Sequence, residues 1–383
     1  MKIYLDNAAA TPMASEVRKE VMRGMELIGN PSSFNDAGRI AAFEINKARV
    51  TVAQFLNAHV EEIIFTSSGS EANNMAILCT ASKSPKNRDR IIVSPIEHLS
   101  ILEPAISLKN KKVVYLKVDK EGFVNLEDAA AKISEKTFLV SLMYANNEIG
   151  TIQPIIKLGK IIKNSKKGGR YPLFHVDACQ AAGVLNMNVN SLGADLLTFN
   201  GSKINGPRGI GVLYVKKGTP LDPYIMGGGQ ERGLRAGTEN LSGILGLAKA
   251  IELIDKKGGE RLRILRDYFF SKLGKIVPEA KINGPEWKNR LPNNINISIL
   301  DLDSENMLLE LDKYGISAGS GSACTARSVE PSHVLKAIGV GKEYLNGALR
   351  LSLGKQTTKK QIDYVLKILP KIISNLKKRY KIV

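Results

Sequence analysis

At 383 residues, with 43% hydrophobic and 24% charged residues, the chain has the make-up of a soluble globular protein with room for two domains. Three cysteines, Cys79, Cys179 and Cys324, do not suggest a disulfide framework at this length, no pair has zinc-ligand spacing, and His59, His98, His175 and His333 form no metal motif. A net charge of +18 suggests attraction to polyanions, but the lysines are spread along the chain, with modest concentrations at 109–112, 163–167 and 371–381, and no nucleic-acid-binding motif accompanies them.

A Lys-rich solvated surface, as in adaptation to heat, is therefore favoured over a dedicated RNA-binding face, and a role on tRNA stays open. The opening residues, Met1-Lys-Ile-Tyr-Leu-Asp-Asn-Ala8, lack the apolar core of a signal peptide, and no stretch has the length and apolarity of a membrane span. A cytoplasmic protein is expected.

Taken in chain order, Ser15 is positioned to cap a helix running to about Gly29, with Pro12 just upstream. Ala41, Ile45, Ala48, Val52 and Phe55 recur at four- and three-residue steps and predict an amphipathic helix ending near Asn57. Strand-like runs follow at Glu62–Thr66, Arg90–Ser94, Lys112–Leu116, Phe138–Met143, Leu173–Val176, Leu196–Phe199 and Ile210–Val215, with a helix starting at about Ser70 and helical patterns between several of the rest. This alternation predicts an α/β protein built on a mainly parallel seven-stranded sheet flanked by helices. After Thr238 the pattern changes to a long helical region, Leu241 to about Ile276, strands near Asn294–Ile299 and Ala348–Leu353, and a terminal helix, Lys359–Lys378. The expected division is a large domain, 14–255, and a smaller α+β domain formed by 1–13 and 256–383.

Two strand ends carry the strongest chemical signal. Leu173-Phe-His-Val-Asp177 ends on a carboxylate, and Leu197-Thr-Phe-Asn-Gly-Ser-Lys203 on a lysine set among small residues. Pyridoxal phosphate (PLP) requires that pair: a lysine to form a Schiff base, and a carboxylate to keep the pyridinium nitrogen protonated so that the ring accepts electrons. Either residue alone reads more readily as a plain strand end. Upstream, Thr66-Ser-Ser-Gly-Ser-Glu-Ala-Asn-Asn74 passes from a strand into a helix. Such a helix start alone is common, and most bind nothing. With the lysine downstream its free N–H groups read as a phosphate cup, with Gly69 allowing close approach and Ser70 suited as cap and phosphate ligand. His98, at another strand end, is suited to lie on the ring and shuttle protons, or else is a satisfied, partly buried histidine. Asn146-Asn147 reads as a turn whose amides can donate to a carboxylate or to the cofactor, or else as a pair of plain turn formers.

Gly227–Thr238 is Gly-rich and carries Arg232 and Arg235, as expected of a loop at a shared active site or of a plain flexible loop. Cys79 and Cys179 read as packing residues. Cys324 differs, because Ser317-Ala-Gly-Ser-Gly-Ser-Ala-Cys-Thr325 can neither pack a core nor hold a regular helix, and a cysteine in such a loop, about 318–330, reads as a reagent. Arg350 sits in an apolar alternating strand, where it must be matched by a substrate carboxylate or by an internal salt bridge.

The ordered set of Tyr4-Leu-Asp-Asn-Ala, Gly29-Asn-Pro-Ser-Ser33, Phe65–Asn74, Glu97-His98, Asn146–Gly150, His175–Gln180, Lys203–Gly211, Gly227–Thr238, Ser320–Thr325 and Arg350 resembles, nearly end to end, the cysteine desulfurases. These are the NifS/IscS-like group of fold-type I PLP enzymes in the class V aminotransferase superfamily. The resemblance implies a homodimeric enzyme in which Lys203 carries PLP, Asp177 pairs with the ring nitrogen, Gln180 bonds the phenolic oxygen and His98 stacks on the ring. It further implies that Gly69, Ser70 and Ser202 bind the phosphate, with Thr238 reaching in from the other subunit, and that Asn147 and Arg350 hold the carboxylate of L-cysteine.

Cys324 would then take the sulfur as a persulfide, leaving L-alanine, and pass it to an iron–sulfur scaffold protein or a tRNA-thiolating enzyme. No metal is implied, beyond a transient iron–sulfur ligation by Cys324 in a scaffold complex. The chain departs from the family's usual Ser-Gly-His-Lys at Asn200-Gly-Ser202-Lys203, which puts Asn200 and Ser202 where the family has other residues around the phosphate. Ala326-Arg327 stands where a serine often follows the cysteine. The competing readings are a selenocysteine lyase or related PLP aminotransferase, and a non-catalytic scaffold or RNA-associated protein that keeps the fold.

Overall fold

A computed structural model of the chain describes residues 2–255, 257–321 and 331–381. Behind a short leading strand, β1 (Ile3–Tyr4), seven strands form the main sheet: β2 (Ile63–Thr66), β3 (Arg90–Val93), β4 (Lys112–Tyr115), β5 (Thr137–Met143), β6 (Leu173–Asp177), β7 (Leu196–Asn200) and β8 (Gly211–Val215). Their spatial order is β2-β8-β7-β6-β5-β3-β4. All neighbours are parallel except those of β8, which runs antiparallel to both β2 and β7. β5 and β6 are buried along their whole length, so both are mainly apolar on both faces rather than alternating, and their inner polar residues Ser141 and His175 are hydrogen-bonded to each other.

Helices cover the sheet, and one pair packs at close range through small residues. A Cβ at Gly24 of helix Ser15–Glu26 would stand 2.7 Å from the Ser242 backbone of helix Leu241–Glu252, and one at Gly246 would stand 2.5 Å from Val21. A second, antiparallel sheet of β9 (Lys281–Ile282), β10 (Asn294–Ser298) and β12 (Ala348–Ser352) has its own core, including Phe269, Ile295, Leu351 and Leu369. β1 pairs in parallel with β11 (Ile316–Ser317), and Ile3 and Leu5 are buried in that same core. No helix among the described residues is long and apolar enough to cross a membrane.

Several boundaries differ from the sequence expectation. Ser15 is not a cap: Ala14 holds that position without a side-chain bond, and the Ser15 hydroxyl turns to Glu16. That helix ends at Glu26, where Leu27 is already extended. Leu241–Ile276 is not continuous but breaks after Glu252 and resumes at Gly258. The helix expected at about Ser70 starts at Gly69, and its cap is Ser68, which accepts from the Glu71 N–H. Ser70 therefore lies inside the first turn.

Candidate active site

The C-terminal ends of β5, β6 and β7 bring Met143, Asp177 and Asn200 to the rim of a cavity of about 250 Å³, the customary position for a ligand in a parallel sheet. Gly69, Ser70, His98 and Asn147 also line it, as do Gln180, Ser202, Lys203 and Arg350. Ten of the twelve residues singled out from the sequence thus surround one space. Thr238 does not line it; it stands exposed in the loop after Gly237. Cys324 lies outside the described residues.

Asp177 is 6% exposed, and the hydrogen bonds its two oxygens accept come from neutral donors: the Asn73 amide at 2.8 Å and the Cys179 N–H at 3.0 Å. A nearly buried carboxylate so held is a socket for a positively charged N–H. The same Asn73 amide donates to Ser100 Oγ at 2.9 Å, and Ser100 Oγ contacts His98 Nδ1 at 2.8 Å. His98 Nδ1 also accepts from the Ser100 N–H at 3.1 Å, which assigns the proton of the neutral ring to Nε2. Asn73 was missed by sequence reasoning, although its place one turn after Gly69 puts it on the helix face that meets the cavity. Its Oδ1 is buried with no hydrogen-bond partner among the described residues.

Behind this layer, His175 lies between Ser141 Oγ at 2.8 Å and Thr198 Oγ1 at 3.0 Å, and burial lowers its pKa to about 4. Glu97 is also fully buried; its carboxylate receives the Met143 N–H at 2.8 Å and the Ser94 hydroxyl, yet burial raises its pKa well above the usual range.

Lys203 extends toward the N-terminal segment, where its Nζ donates to the carbonyls of Ala8 at 2.8 Å and Ala9 at 2.5 Å. Gln180 donates to the same Ala8 carbonyl at 3.0 Å. Arg350 Nη2 pairs with Asp6 at 2.8 Å, so the internal salt bridge weighed from the sequence exists. It does not exhaust the guanidinium: Nη1 reaches only the Asn147 carbonyl at 3.2 Å, and the buried Nε has no partner among the described residues. An incompletely satisfied guanidinium on a cavity wall is placed to take a carboxylate.

At the opposite side, the first turn of helix Gly69–Lys83 presents its N–H groups beside Asn200 and Ser202. Ser202 Oγ bonds Asn200 Oδ1 at 3.0 Å, so the two residues that depart from the family pattern form one unit. A Cβ at Gly69 would come within 2.7 Å of both Asn200 Nδ2 and Cys179 Sγ, so only glycine leaves this cradle open. Glu71 in the same turn is clamped by Arg235 at 2.8 Å, tying the Gly-rich loop to the helix start. The donor set fits PLP: a carboxylate for the ring nitrogen, an amine for the carbonyl carbon, and helix N–H groups with a glycine cradle for the phosphate. Neither described cysteine is a reagent: burial raises the Cys179 thiol well above its ordinary pKa and pushes Cys79 up to about 12.

The profile of the class-V aminotransferases matches residues 3–365. A cysteine desulfurase IscS of Dictyoglomus turgidum is 45% identical over 98% of this chain and 95% of its own length. Among solved structures, a NifS-like protein superposes with a TM-score of 0.91 at 37% identity, covering 98% of this chain and all of the other. SspA, solved in complex with cysteine, superposes at 0.79 with 31% identity over 92% of this chain and 99% of its own. The chain belongs to the class-V aminotransferases, PLP-dependent enzymes of fold-type I, and within them to the cysteine desulfurases.

Proposed function

We propose that the chain is a PLP-dependent cysteine desulfurase that moves sulfur from L-cysteine to the thiol of Cys324, leaving L-alanine and a Cys324 persulfide. The observation that carries this reading is the meeting of Asp177, Lys203 and Arg350 in one cavity, two of them at the ends of adjacent parallel strands or just beyond. When bound, PLP supplies an electron sink for the carbon skeleton of the substrate.

The residues of this chain have separable tasks. Asp177, oriented by Asn73, holds the proton on the ring nitrogen, and Gln180 bonds the phenolic oxygen. Gly69, Ser70, Asn200 and Ser202 hold the phosphate, and Lys203 anchors the cofactor. His98 covers the ring and, with Nδ1 engaged by Ser100, offers Nε2 for proton transfer. Asn147 and Arg350 take the carboxylate of L-cysteine. Cys324 receives the sulfur, a task for which Cys79 and Cys179 are too firmly protonated.

Thr238, exposed beside the Arg235 clamp, is suited to complete the phosphate site of a second copy in a homodimer. The onward acceptor is an iron–sulfur scaffold protein or a tRNA-thiolating enzyme, and the cytoplasm is the compartment in which such hand-over takes place.

The test is the visible spectrum of the purified protein, together with alanine and sulfide release from L-cysteine in the presence of a thiol reductant. A yellow protein that releases sulfide, and loses that release in Cys324→Ser, is the expected result. A yellow protein indifferent to Cys324→Ser would point instead to a plain PLP aminotransferase or selenocysteine lyase, and a colourless one to a scaffold.

A further inference from the structure

The dispersion of lysines along the sequence disappears once the strands are ordered. The parallel strands place the cavity at one end of the main sheet and their N-termini at the other, about 20 Å away for a strand of this length. The segments at that far end are 59–62, 83–90, 109–112, 133–137, 163–172, 193–195 and 216–219. They carry fourteen Lys and Arg and five Asp and Glu, so this end alone holds +9, half of the chain's +18.

Four of the fourteen cations are in ion pairs: Lys83 with Asp222, Arg90 with Asp89, and Lys166 and Lys216 with Asp195. The other ten form none among the described residues. Two of the five acids are spent within the fold: Glu62 accepts the backbone N–H groups of His59 and Lys217, and Asp195 that of Phe174.

The cations also follow the sheet. From β8 through β7, β6, β5 and β3 to β4, the strand ends in spatial order bring Lys216 and Lys217, then Asp195, which pairs with Lys166 and Lys216, then Arg170, Lys136, Arg90 and Lys112. Six strands at about 4.8 Å spacing make a band roughly 24 Å long. At one end it opens into a bowl of about 820 Å³ lined by Lys163, Lys166, Arg170, Lys216 and Lys217, with Asp195 its single carboxylate. These segments hold one aromatic residue, Tyr171, whose ring is covered by the Arg88 guanidinium at 5.1 Å.

We propose that this end of the sheet is a docking surface for duplex nucleic acid, gripped through its phosphate backbone without reading sequence. An elongated band dominated by cations matches a rod that carries a charge about every 1.7 Å. The lack of a free aromatic platform argues against single strands, whose binding rests on base stacking. Lysines, which outnumber arginines here by eleven to three, act as point charges on phosphate rather than as readers of base edges. The surface faces away from the PLP cavity, so a duplex seated there leaves the cavity mouth open.

The test is fluorescence anisotropy of a labelled duplex of about 24 base pairs between about 50 and 200 mM salt. The proteins are the wild type, a K163Q/K167Q/R170Q/K217Q variant, and a K360Q/K367Q/K371Q/K378Q variant that loses equal charge from exposed positions on the terminal helix. Melting temperature and L-cysteine turnover, unchanged in both variants, confirm intact protein. Binding by the wild type that falls steeply with salt, a loss of about tenfold or more with a shallower salt slope in the first variant, and less than about twofold change in the second, is the expected result. Three results would overturn the proposal: no salt-dependent binding, equal losses in both variants, or binding of a single strand or a polyglutamate chain as tightly as the duplex.

Discussion

Arg350 combines two demands in one side chain. Its side chain is 2% exposed and bonded to Asp6, yet its buried Nε has no partner among the described residues beside the cavity. Charge-assisted bonds to a substrate carboxylate are worth about 1.5–3 kcal/mol, so Arg350→Met is expected to raise the KM for L-cysteine by roughly 10- to 100-fold while the cofactor absorbance is retained. Loss of that absorbance would show that Arg350 acts instead through the segment holding Asp6.

His175 provides a second check at this scale. Its folded pKa, lowered to about 4 by burial, lies below the ordinary value of about 6.5. Its contribution to stability is complete above pH 6.5 and is lost as the pH falls from about 6.5 to about 4, where the unfolded chain binds the proton first, for a total of about 3 kcal/mol. A melting temperature that falls between those limits in the wild type, and less steeply in His175→Gln, is expected.

Asp177 and Lys203 were legible because a strand that ends abruptly in a charged residue leaves a local trace. Asn73 and Asp6 were not, because their importance comes from what lies across the cavity.

Among the elements, the Gly-rich loop is anchored more firmly than its composition suggests. Arg49, on helix Asp36–Leu56, grips Glu231 with two bonds of 2.7 and 2.8 Å, and Glu231 also accepts the Phe65 N–H of β2 at 2.9 Å. Arg49 covers the Phe65 ring at 4.6 Å as well. Removing the arginine leaves a buried carboxylate without its cation, at a cost of about 3–5 kcal/mol. Arg49→Met is therefore expected to lower the melting temperature by on the order of 10 °C, with Arg49→Met/Glu231→Leu recovering part of the loss.

Composition left a plain flexible loop as one of two readings because glycines dominate it; the partner that buries Glu231 is 182 residues away in sequence. The seven strands of the main sheet, by contrast, were found within a residue or two, since each is an apolar run bounded by polar turns. β1, β9 and β11 have two residues each and no period to detect.

For the whole molecule, the alternation of strands and helices was enough to establish the fold class, but not the spatial order of the strands, which depends on pairing. That order gathers half the net charge at one end of the sheet. Residues 1–13 were expected to join the smaller domain, but what the segment touches at the cavity was hidden. Between Ile3 and Thr11 it pairs with β11, bonds Ser352 from both Asn7 and Ala8, offers the Ala8 and Ala9 carbonyls to Lys203, and meets the Ser202 carbonyl. Deleting residues 2–10 is expected to abolish cofactor retention and to lower the melting temperature; an unchanged visible spectrum would refute that role.

The Asp6–Arg350 pair joins residues 344 positions apart. Asp6 therefore leaves the ribosome well ahead of its partner in β12, and at about 5–20 residues per second that delay is on the order of a minute. Nascent chains halted before Ala348 lack the Arg350 wall of the cavity, so the grip on the L-cysteine carboxylate is completed only late in synthesis. Nascent chains arrested there and supplied with PLP are expected to release no sulfide from L-cysteine.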